Sequence, residues 1–298
     1  MSTVWPEVYQ LFGHPTDLIC ITSTARCSND RDSNHGSILV ASSCKARDEE
    51  QPCIRLWDVY RNTCACLLKG GHQSTVVALG FSTDEKYLAS SGKDRSICLW
   101  RKRVVPTTAD AEFAYELVAM KSMAHKRIIW DLSWCPQSPF VFATGSRDGF
   151  VKIWKVCANT NNEPDSIVDV LIPQFAFEPA TKGQTVEPVT AVSFAPKLQN
   201  LDCAILAIGL ENGQIELWSI PITTSLDEAA NWKNHSCQLL HKVDSLDCHV
   251  GAIKKIGWKP TSMETRDPSG SSMKVQLTFA TCGEDHGVRI FDLCLSIC

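Results

Sequence analysis

The sequence predicts an all-β fold in which four-stranded blades repeat around an axis, as in a β-propeller. Two observations support this prediction. A phrase of fixed spacing recurs along the 298 residues, and the segments between its members are short, apolar and rich in β-branched residues. Self-similarity at a period of roughly 40–50 residues is typical of propellers. The repeat therefore indicates the architecture before any single motif is considered.

The recurring phrase places an aromatic residue nine positions after a histidine, and a hydroxyl residue four positions before an aspartate. A tryptophan follows that aspartate after six positions. One copy consists of His72, Phe81, Ser90, Asp94 and Trp100, a second of His125, Trp134, Thr144, Asp148 and Trp154, and a third of His249, Trp258, Thr281, Asp285 and Phe291. Phenylalanine has no N–H donor, so we expect the complete hydrogen-bonded chain only in the first two copies. This pattern is typical of WD40 repeats.

Each blade is expected to contain three inner strands and an outer strand, and the copy that begins at His72 shows this order most clearly. Its inner strands are predicted at Thr75–Leu79, Lys86–Ser90 and Ser96–Trp100. Gly92–Arg95 is the predicted tight turn before the third strand. Tyr115–Met120 is the predicted outer strand.

The same pattern predicts a single partial propeller domain over residues 1–298, with five blades. Their expected limits are about 14–68, 72–121, 125–172, 189–243 and 249–298. Before them, Val8–Phe12 is expected to form an orphan outer strand, whose own blade lacks its other three strands. Seven blades is the commonest closure of WD40 rings. The chain is therefore expected to be part of a seven-bladed ring.

Composition limits the classes of function. With 33 acidic against 29 basic residues and a net charge of −4, there is no electrostatic case for binding nucleic acid or an anionic membrane. Met1–His14 lacks the features of a secretory signal, and no stretch is apolar enough for a membrane span. The 15 cysteines include no C-x-x-C pair, which disfavours zinc, and indicate a reducing compartment. We therefore expect no cofactor, no metal, and a cytoplasmic and nuclear location.

The recurring His, Ser or Thr, and Asp also suggest a catalytic triad, but the pattern disfavours it. A nucleophile needs one activated hydroxyl beside an oxyanion site, whereas these residues recur in near-copies. We expect structural tetrads in which buried polar groups satisfy each other, and no enzyme activity. The predicted tetrads are His72, Ser90, Asp94 and Trp100, and His125, Thr144, Asp148 and Trp154. The G-x-S-x-G, Walker and H-E-x-x-H motifs are missing from the sequence.

Several longer phrases resemble a particular family. They are His125–Trp134 followed by Ala143–Asp148, and also Ala41–Ala46, Ala207–Gly213 and Cys282–His286. These phrases are similar to the blades of the second subunit of the Elongator complex, in the order in which that family has them. The resemblance spans about residues 8–290 and concerns the C-terminal part of that family, which carries two consecutive seven-bladed propellers.

The resemblance implies a non-catalytic scaffold. In that complex the second subunit bridges the large first subunit and the catalytic third subunit, which supports modification of wobble uridines in tRNA at C5. The radical chemistry belongs to the third subunit. An indirect contact of this chain with tRNA is expected, and a direct one stays open. Candidate partner contacts are the exposed polar residues that flank the blade strands, Lys126, Arg127, Arg147, Glu211 and His286. The alternative is a generic WD40 adaptor that binds peptides in a ubiquitin ligase or a chromatin complex.

Overall fold

The computed structural model describes residues 10–24, 38–47, 53–104, 113–157, 170–177, 186–198, 203–222, 237–244, 246–260, 263–266 and 273–297. These residues contain twenty β-strands and no helix. The strands form five four-stranded antiparallel sheets, so the prediction of an all-β, blade-repeat fold is confirmed.

The strands follow one another regularly along the chain. The first sheet contains β1 (Leu18–Ser23), β2 (Leu39–Cys44), β3 (Ile54–Asp58) and β4 (Thr63–Leu68). The second contains β5 (Val76–Phe81), β6 (Tyr87–Gly92), β7 (Ile97–Val104) and β8 (Phe113–Lys121). The third contains β9 (Ile129–Trp134), β10 (Val141–Ser146), β11 (Val151–Cys157) and β12 (Val170–Phe177).

The fourth sheet contains β13 (Val189–Phe194), β14 (Cys203–Leu210), β15 (Ile215–Pro221) and β16 (Gln238–Lys242). The fifth contains β17 (Ile253–Trp258), β18 (Met263–Arg266), β19 (Met273–Gly283) and β20 (Val288–Ile297). In each of the first four sheets, consecutive strands are neighbours. We refer to the five sheets as blades 1 to 5, and to β1, β5, β9, β13 and β17 as the inner strands.

The second strand of each of blades 2 and 3 is buried on both of its faces because a blade lies between two others. All six residues of β6 are buried, as are all six of β10. Such strands favour continuous apolar or small residues over an alternating pattern. Tight turns then join β6 to β7 and β10 to β11. In the second of these turns Gly149 has a φ of +81°, which glycine adopts without strain.

The hydrophobic core lies between successive blades. One cluster joins Leu39, Ile54 and Leu56 of blade 1 to Leu88 and Trp100 of blade 2. Corresponding clusters join each later pair of neighbours. Among the residues that the structure describes, blades 5 and 1 make no strand-to-strand contact of comparable extent. The described residues contain five blades, and the seven-bladed ring stays a prediction.

Blade 5 departs from the predicted order of strands. We expected its fourth strand to pair with the outer edge of the strand that carries Phe291, which corresponds to the tryptophan-bearing strand of the other blades. Instead β18 pairs with the same edge of β19 as β17 does, and β20 pairs with the opposite edge. The orphan outer strand at Val8–Phe12 stays a prediction: Gln10–Phe12 pair with no described strand, as an orphan strand would not, and Val8 and Tyr9 lie outside the described residues.

Candidate functional site

The predicted tetrad of blade 2 is a continuous chain of hydrogen bonds. The indole N–H of Trp100 donates to Ser90 Oγ at 2.9 Å, and Ser90 Oγ lies 2.8 Å from His72 Nε2. His72 Nδ1 lies 2.9 Å from Asp94 Oδ2. Asp94 also accepts the backbone N–H groups of Gln73 and Ser96, which ties the loop before β5 to the turn after β6.

Blade 3 repeats this geometry. Trp154 Nε1 donates to Thr144 Oγ1 at 2.8 Å, Thr144 Oγ1 lies 2.8 Å from His125 Nε2, and His125 Nδ1 lies 3.1 Å from Asp148 Oδ2. Asp148 accepts the backbone N–H groups of Lys126 and Phe150. In both blades the residues of the sequence phrase are brought together by one hairpin and the loop that precedes it.

The hydroxyl groups of these chains cannot act as nucleophiles on a substrate in solution. Ser90 and Thr144 have no exposed surface, and each hydroxyl is occupied by an indole and an imidazole. A catalytic serine or threonine must instead be reachable by its substrate. The resemblance to a triad is therefore limited to the types of residue, and the arrangement is an internal brace.

In the tetrad of blade 3 the pKa shifts favour a neutral imidazole beside an ionised carboxylate. Burial lowers the pKa of His125, although Asp148 acts in the opposite direction. Burial would raise the pKa of Asp148, but the hydrogen bonds that it accepts from His125 and from two backbone N–H groups outweigh this effect and hold the pKa at about 2. The pKa of Asp94 is lowered by His72 in the same way, against the effect of burial.

Blade 5 retains part of the tetrad, without the indole. His249 Nδ1 lies 2.8 Å from Asp285 Oδ1, and His249 Nε2 lies 2.8 Å from Thr281 Oγ1. Phe291 stacks on Phe279 instead of donating a hydrogen bond, with ring centroids 5.0 Å apart.

Blade 1 contains an incomplete tetrad that sequence analysis missed. Trp57 Nε1 donates to Ser42 Oγ at 2.7 Å, and His14 Nε2 lies 2.8 Å from the same oxygen. The serine and the tryptophan are farther apart along the chain than in the other blades because a longer connection joins β2 to β3. A search that allowed this connection to vary in length would have found Ser42. Gln51, at the expected position of the aspartate, lies outside the described residues.

Blade 4 replaces the tetrad with a carboxylate. Trp218 Nε1 donates to Glu216 Oε2 at 3.0 Å, and Lys242 Nζ lies 3.3 Å from Glu216 Oε1. Ile208 occupies the place of the hydroxyl residue and is fully buried. The side chain of Asn212 accepts the backbone N–H of Gln214, two residues later, as the aspartates of blades 2 and 3 do.

The inner strands of blades 3 and 4 run in the same direction. Val192 N donates to Asp131 at 3.1 Å, and two residues farther along both strands Phe194 N donates to Ser133 at 3.0 Å. The aromatic residue nine positions after the histidine also joins neighbouring blades, because Trp134 Nε1 donates to the backbone oxygen of Gly80 at 2.7 Å. Sequence analysis identified this aromatic position without its role.

One backbone hydrogen bond recurs in all five blades. It joins the turn after the second strand to the residue just before or at the start of the inner strand, in the pairs Lys45 N to Asp17 O, Lys93 N to Thr75 O, Arg147 N to Ile128 O, Glu211 N to Pro188 O, and Glu284 N to Ala252 O. These turns therefore lie at the end of each blade where its inner strand begins. We call this end the turn face.

All five candidate partner residues lie on the turn face and are exposed. Lys126 and Arg127 precede β9, Arg147 is in the turn between β10 and β11, Glu211 follows β14, and His286 precedes β20. Sequence analysis missed Lys45 and Lys93, which are also exposed and occupy in blades 1 and 2 the position of Arg147 in blade 3. The equivalent residues of blades 4 and 5 are acidic, Glu211 and Glu284.

A side-chain ion pair spans two blades. Lys255 Nζ, on the inner strand of blade 5, lies 2.7 Å from Asp131 Oδ1 on the inner strand of blade 3. The carboxylate of Asp131 raises the pKa of Lys255. Asp131 is buried and also accepts the backbone N–H of Val192. Its carboxylate therefore has two partners, this N–H group and the Lys255 ammonium group.

The described part of the chain shows no group of three or more His, Cys, Asp or Glu side chains arranged to hold a metal ion. Within the same residues, no helix is long and apolar enough to span a membrane.

Comparisons with known proteins agree with the repeat pattern. Residues 63–101 and 118–155 match the family described as WD domain, G-beta repeat. A solved structure, Chaetomium thermophilum Sqt1 bound to the N-terminus of ribosomal protein L10, has a TM-score of 0.51 and 17% sequence identity. The similarity covers 86% of this chain and 60% of that chain, and it supports the fold alone.

The sequence similarity to curated proteins is more specific. Elongator complex protein 2 of Dictyostelium discoideum is 31% identical over 98% of this chain, and that of Homo sapiens is 33% identical over 97%. Elongator complex protein 2 of Schizosaccharomyces pombe is 33% identical over 98%. Over nearly its whole length the chain is similar to Elongator complex protein 2. The recognition made from the sequence phrases is thus confirmed.

The chain matches only part of each Elongator complex protein 2. The matched region covers 28% of the Dictyostelium protein and 32% of the human and the Schizosaccharomyces proteins. The chain thus spans about a third of the length of the curated relatives that it matches.

Proposed function

We propose that the chain is a non-catalytic scaffold of an Elongator complex. It bridges the large first subunit and the catalytic third subunit, and so supports C5 modification of tRNA wobble uridines without turnover of its own. This proposal takes the partners and the pathway from the family. A cytoplasmic and nuclear location is part of the same proposal, since the complex would carry the chain there.

The observation that carries the proposal is the shared position of the candidate contacts. Lys126, Arg127 and Arg147 are exposed on the turn face of one blade, while the histidines and aspartates beside them are used in internal hydrogen bonds. Rigid blades hold such side chains at fixed spacings. Arginine is also enriched among the residues that dominate the affinity of protein interfaces. The turn face therefore suits binding more than chemistry.

The test removes two positive charges from the turn face in one variant and two from the opposite end of the blades in the other. The chain with Arg127→Ala and Arg147→Ala is compared with the chain with Lys86→Ala and Lys197→Ala. The two control residues are exposed at the other end of the blades, where the first strand turns into the second. Each variant is expressed in cells with an affinity tag. Co-purified Elongator subunits and the modified wobble nucleosides are then measured by mass spectrometry.

We expect the arginine variant to keep its melting temperature, lose the first or the third subunit, and lower wobble-uridine modification. The lysine variant should keep all three properties. Full assembly and modification with the arginine variant would move the interface to another surface. If the unmutated chain recovers no Elongator subunit but does recover a ubiquitin ligase or a chromatin complex, the generic adaptor replaces this proposal.

A further inference from the structure

The exposed charges of the turn face are divided by sign between neighbouring blades. Blades 2 and 3 present four basic side chains there, Lys93, Lys126, Arg127 and Arg147. Among the residues that the structure describes, none of the four forms an ion pair. The carboxylates beside them, Asp94 and Asp148, belong to the tetrads and have side chains that are 9% and 6% exposed. This part of the turn face is therefore basic.

Blade 4 and its connection to blade 5 present acidic side chains instead. Three of them are exposed, Glu211, Asp244 and Asp247. Glu211 occupies the position that Arg147 has in blade 3. The backbone N–H of Val243 donates to the backbone oxygen of Ile215, where β15 begins, so the connection from β16 to β17 lies on the turn face. The charge of the turn face thus changes sign between blades 3 and 4.

Exposed apolar side chains lie at the seams between these blades, in the connections that precede the inner strands. Met123 precedes β9, Val186 precedes β13 and Val250 precedes β17. They are 62%, 50% and 88% exposed, so each presents apolar surface to water. A single exposed apolar residue needs no explanation, whereas apolar residues repeated within a charged rim are typical of an interaction surface.

The same connections pack on the tight turn of the preceding blade. Between blades 2 and 3, the backbone N–H of Ala124 donates to the backbone oxygen of Arg95 at 2.9 Å. Between blades 3 and 4, a Cβ added to Gly149 would lie 2.0 Å from Val186 Cγ1. Between blades 4 and 5, the tight turn of blade 4 approaches the backbone of His249 equally closely. The apolar side chains therefore follow one another across the turn face, with the basic residues on one side of Val186 and the acidic ones on the other.

This division of charge favours a protein segment over a nucleic acid. A phosphate backbone is negative along its whole length, so the basic residues of blades 2 and 3 would attract it and the carboxylates of blade 4 would repel it. Proteins that bind single-stranded nucleic acid also stack its bases on aromatic side chains. Among the described residues, the exposed large apolar side chains of this surface are Met123, Val186, Leu246 and Val250, and none is aromatic. A peptide, in contrast, can carry opposite charges at its two ends.

We propose that the turn face from blade 2 to the start of blade 5 binds an extended segment of a partner protein that is acidic at one end, apolar in its centre and basic at the other end. The acidic end pairs with Arg127 and Arg147, the apolar centre covers Val186, and the basic end pairs with Glu211 and Asp247. Complementary charges at both ends fix the orientation of the segment. This inference rests on the proposed function for the choice of the turn face as the binding surface, and it adds the chemistry of the segment that binds there.

Two fluorescent peptides of the same composition test whether the division of charge matters. The divided peptide has a run of glutamates, an apolar centre of valine and leucine, and a run of lysines. The mixed peptide alternates glutamate and lysine on both sides of the same centre. Binding to the full chain is measured by fluorescence anisotropy at low salt. We expect the divided peptide to bind about fivefold more tightly, and the difference to shrink as salt is added. Equal binding of the two peptides would overturn the proposal.

Charge reversal in the chain assigns each end of the segment to its blade. One variant carries Arg127→Glu and Arg147→Glu, and a second carries Glu211→Lys and Asp247→Lys. Each should weaken the divided peptide by about tenfold, because attraction becomes repulsion at one end. The variant with all four changes should restore binding, because the same peptide then fits in the opposite direction. All four side chains are exposed, so the melting temperature should not change. Binding that the fourfold variant does not restore would contradict the proposal.

A matched control and a nucleic acid probe complete the binding test. Lys86→Glu with Lys197→Glu reverses two exposed charges at the opposite end of the blades and should leave binding of the divided peptide unchanged. A weakening as large as that from the arginine variant would show that net charge, and not this surface, controls binding. A fluorescent oligouridine is measured beside the peptides. If it binds as tightly as the divided peptide and is lost with Arg127→Glu and Arg147→Glu, a nucleic acid site replaces this proposal.

Purification from cells separates this inference from the proposed function. The tagged variant with Glu211→Lys and Asp247→Lys should recover less of the first or the third Elongator subunit than the unmutated chain does. If the unmutated chain recovers these subunits and this variant recovers them in full, the proposed function stands and the inference fails. If the unmutated chain recovers no Elongator subunit while the peptide results hold, the proposed function fails and the charge-divided site stands.

Discussion

Lys255 and Asp131 form an ion pair across blade 4, with 2.7 Å between Nζ and Oδ1 and a sequence separation of 124. Their own strands do not pair with each other, since β9 belongs to blade 3 and β17 to blade 5. The pair therefore fixes the spacing of two blades that are not neighbours in the repeat. The aspartate side chain is 4% exposed, whereas the lysine side chain is 65% exposed.

Loss of this pair should destabilise the fold more than loss of the neighbouring one. Lys255→Ala leaves a buried carboxylate with fewer partners, and we expect a decrease of about 1–3 kcal/mol in the free energy of unfolding. Lys254→Ala removes an exposed pair with Glu284 and should cost less than about 1 kcal/mol. Urea unfolding of both variants provides the comparison. Equal losses would mean that the pair across blade 4 contributes no more than a surface pair.

Stability should decrease with acidification in two stages. Burial lowers the pKa of His125 in the fold, so its protonation opposes folding as the pH falls below about 6.5. The pKa of Asp148 is about 2 in the fold, chiefly because the hydrogen bond from His125 outweighs burial. The stability from this carboxylate is present above its ordinary pKa of about 4 and is lost as the pH falls towards 2.

Thermal melts at pH 7.5, 5.5 and 3 would show both stages. We expect the melting temperature to fall at each step. Asp148→Asn should lower the melting temperature at pH 7.5 and make the fall between pH 5.5 and 3 smaller, because one depressed carboxyl group is removed. A melting temperature that rises on acidification below pH 6.5 would contradict the assignment of a neutral imidazole.

A tryptophan at position 291 should complete the tetrad of blade 5. In Phe291→Trp the indole N–H can donate to Thr281 Oγ1, as Trp100 does to Ser90. Thr281 Oγ1 already lies 2.8 Å from His249 Nε2. Phe291 lines a cavity of about 470 Å³ between blades 4 and 5. This cavity leaves room for the larger ring, so we expect a gain of about 0.5–1.5 kcal/mol in the free energy of unfolding.

A double-mutant cycle with Thr281→Val separates the hydrogen bond from the added apolar surface. The gain from Phe291→Trp should disappear in the Thr281→Val background. A gain of the same size in both backgrounds would assign it to packing, and a loss in both would indicate that the cavity does not accept the indole.

Alanine substitutions at two glycines should separate the cost of a close contact from the cost of a left-handed backbone conformation. Gly213 and Gly70 have similar φ angles, +86° and +83°. A Cβ on Gly213 would lie 1.9 Å from the backbone oxygen of His249, whereas a Cβ on Gly70 would meet no atom within 4 Å. Gly70→Ala should cost about 1 kcal/mol from the backbone conformation alone. Gly213→Ala should cost more because blades 4 and 5 must separate. Similar changes in melting temperature would show that this contact yields easily.

Much of the fold could be predicted from spacing alone. Within a blade, His125, Thr144, Asp148 and Trp154 are joined by a hairpin and one loop, so their sequence separation is set by the lengths of strands and tight turns.

Other features depend on how the blades are arranged. The bond from Trp57 to Ser42 escaped the fixed spacing because a longer connection separates β2 from β3. The predicted order of strands in blade 5 is wrong because β18, in the connection between β17 and β19, pairs with the part of the β19 edge that β17 leaves free.

The sequence by itself determined the repeat, the all-β class and the members of the two complete tetrads, since these rest on contacts within one blade. The tertiary structure decided which side chains share the turn face and the pairing of Lys255 with Asp131. These relationships join residues from different blades. Their separation along the chain carries no periodic signal, so only the relative position of the blades determines them.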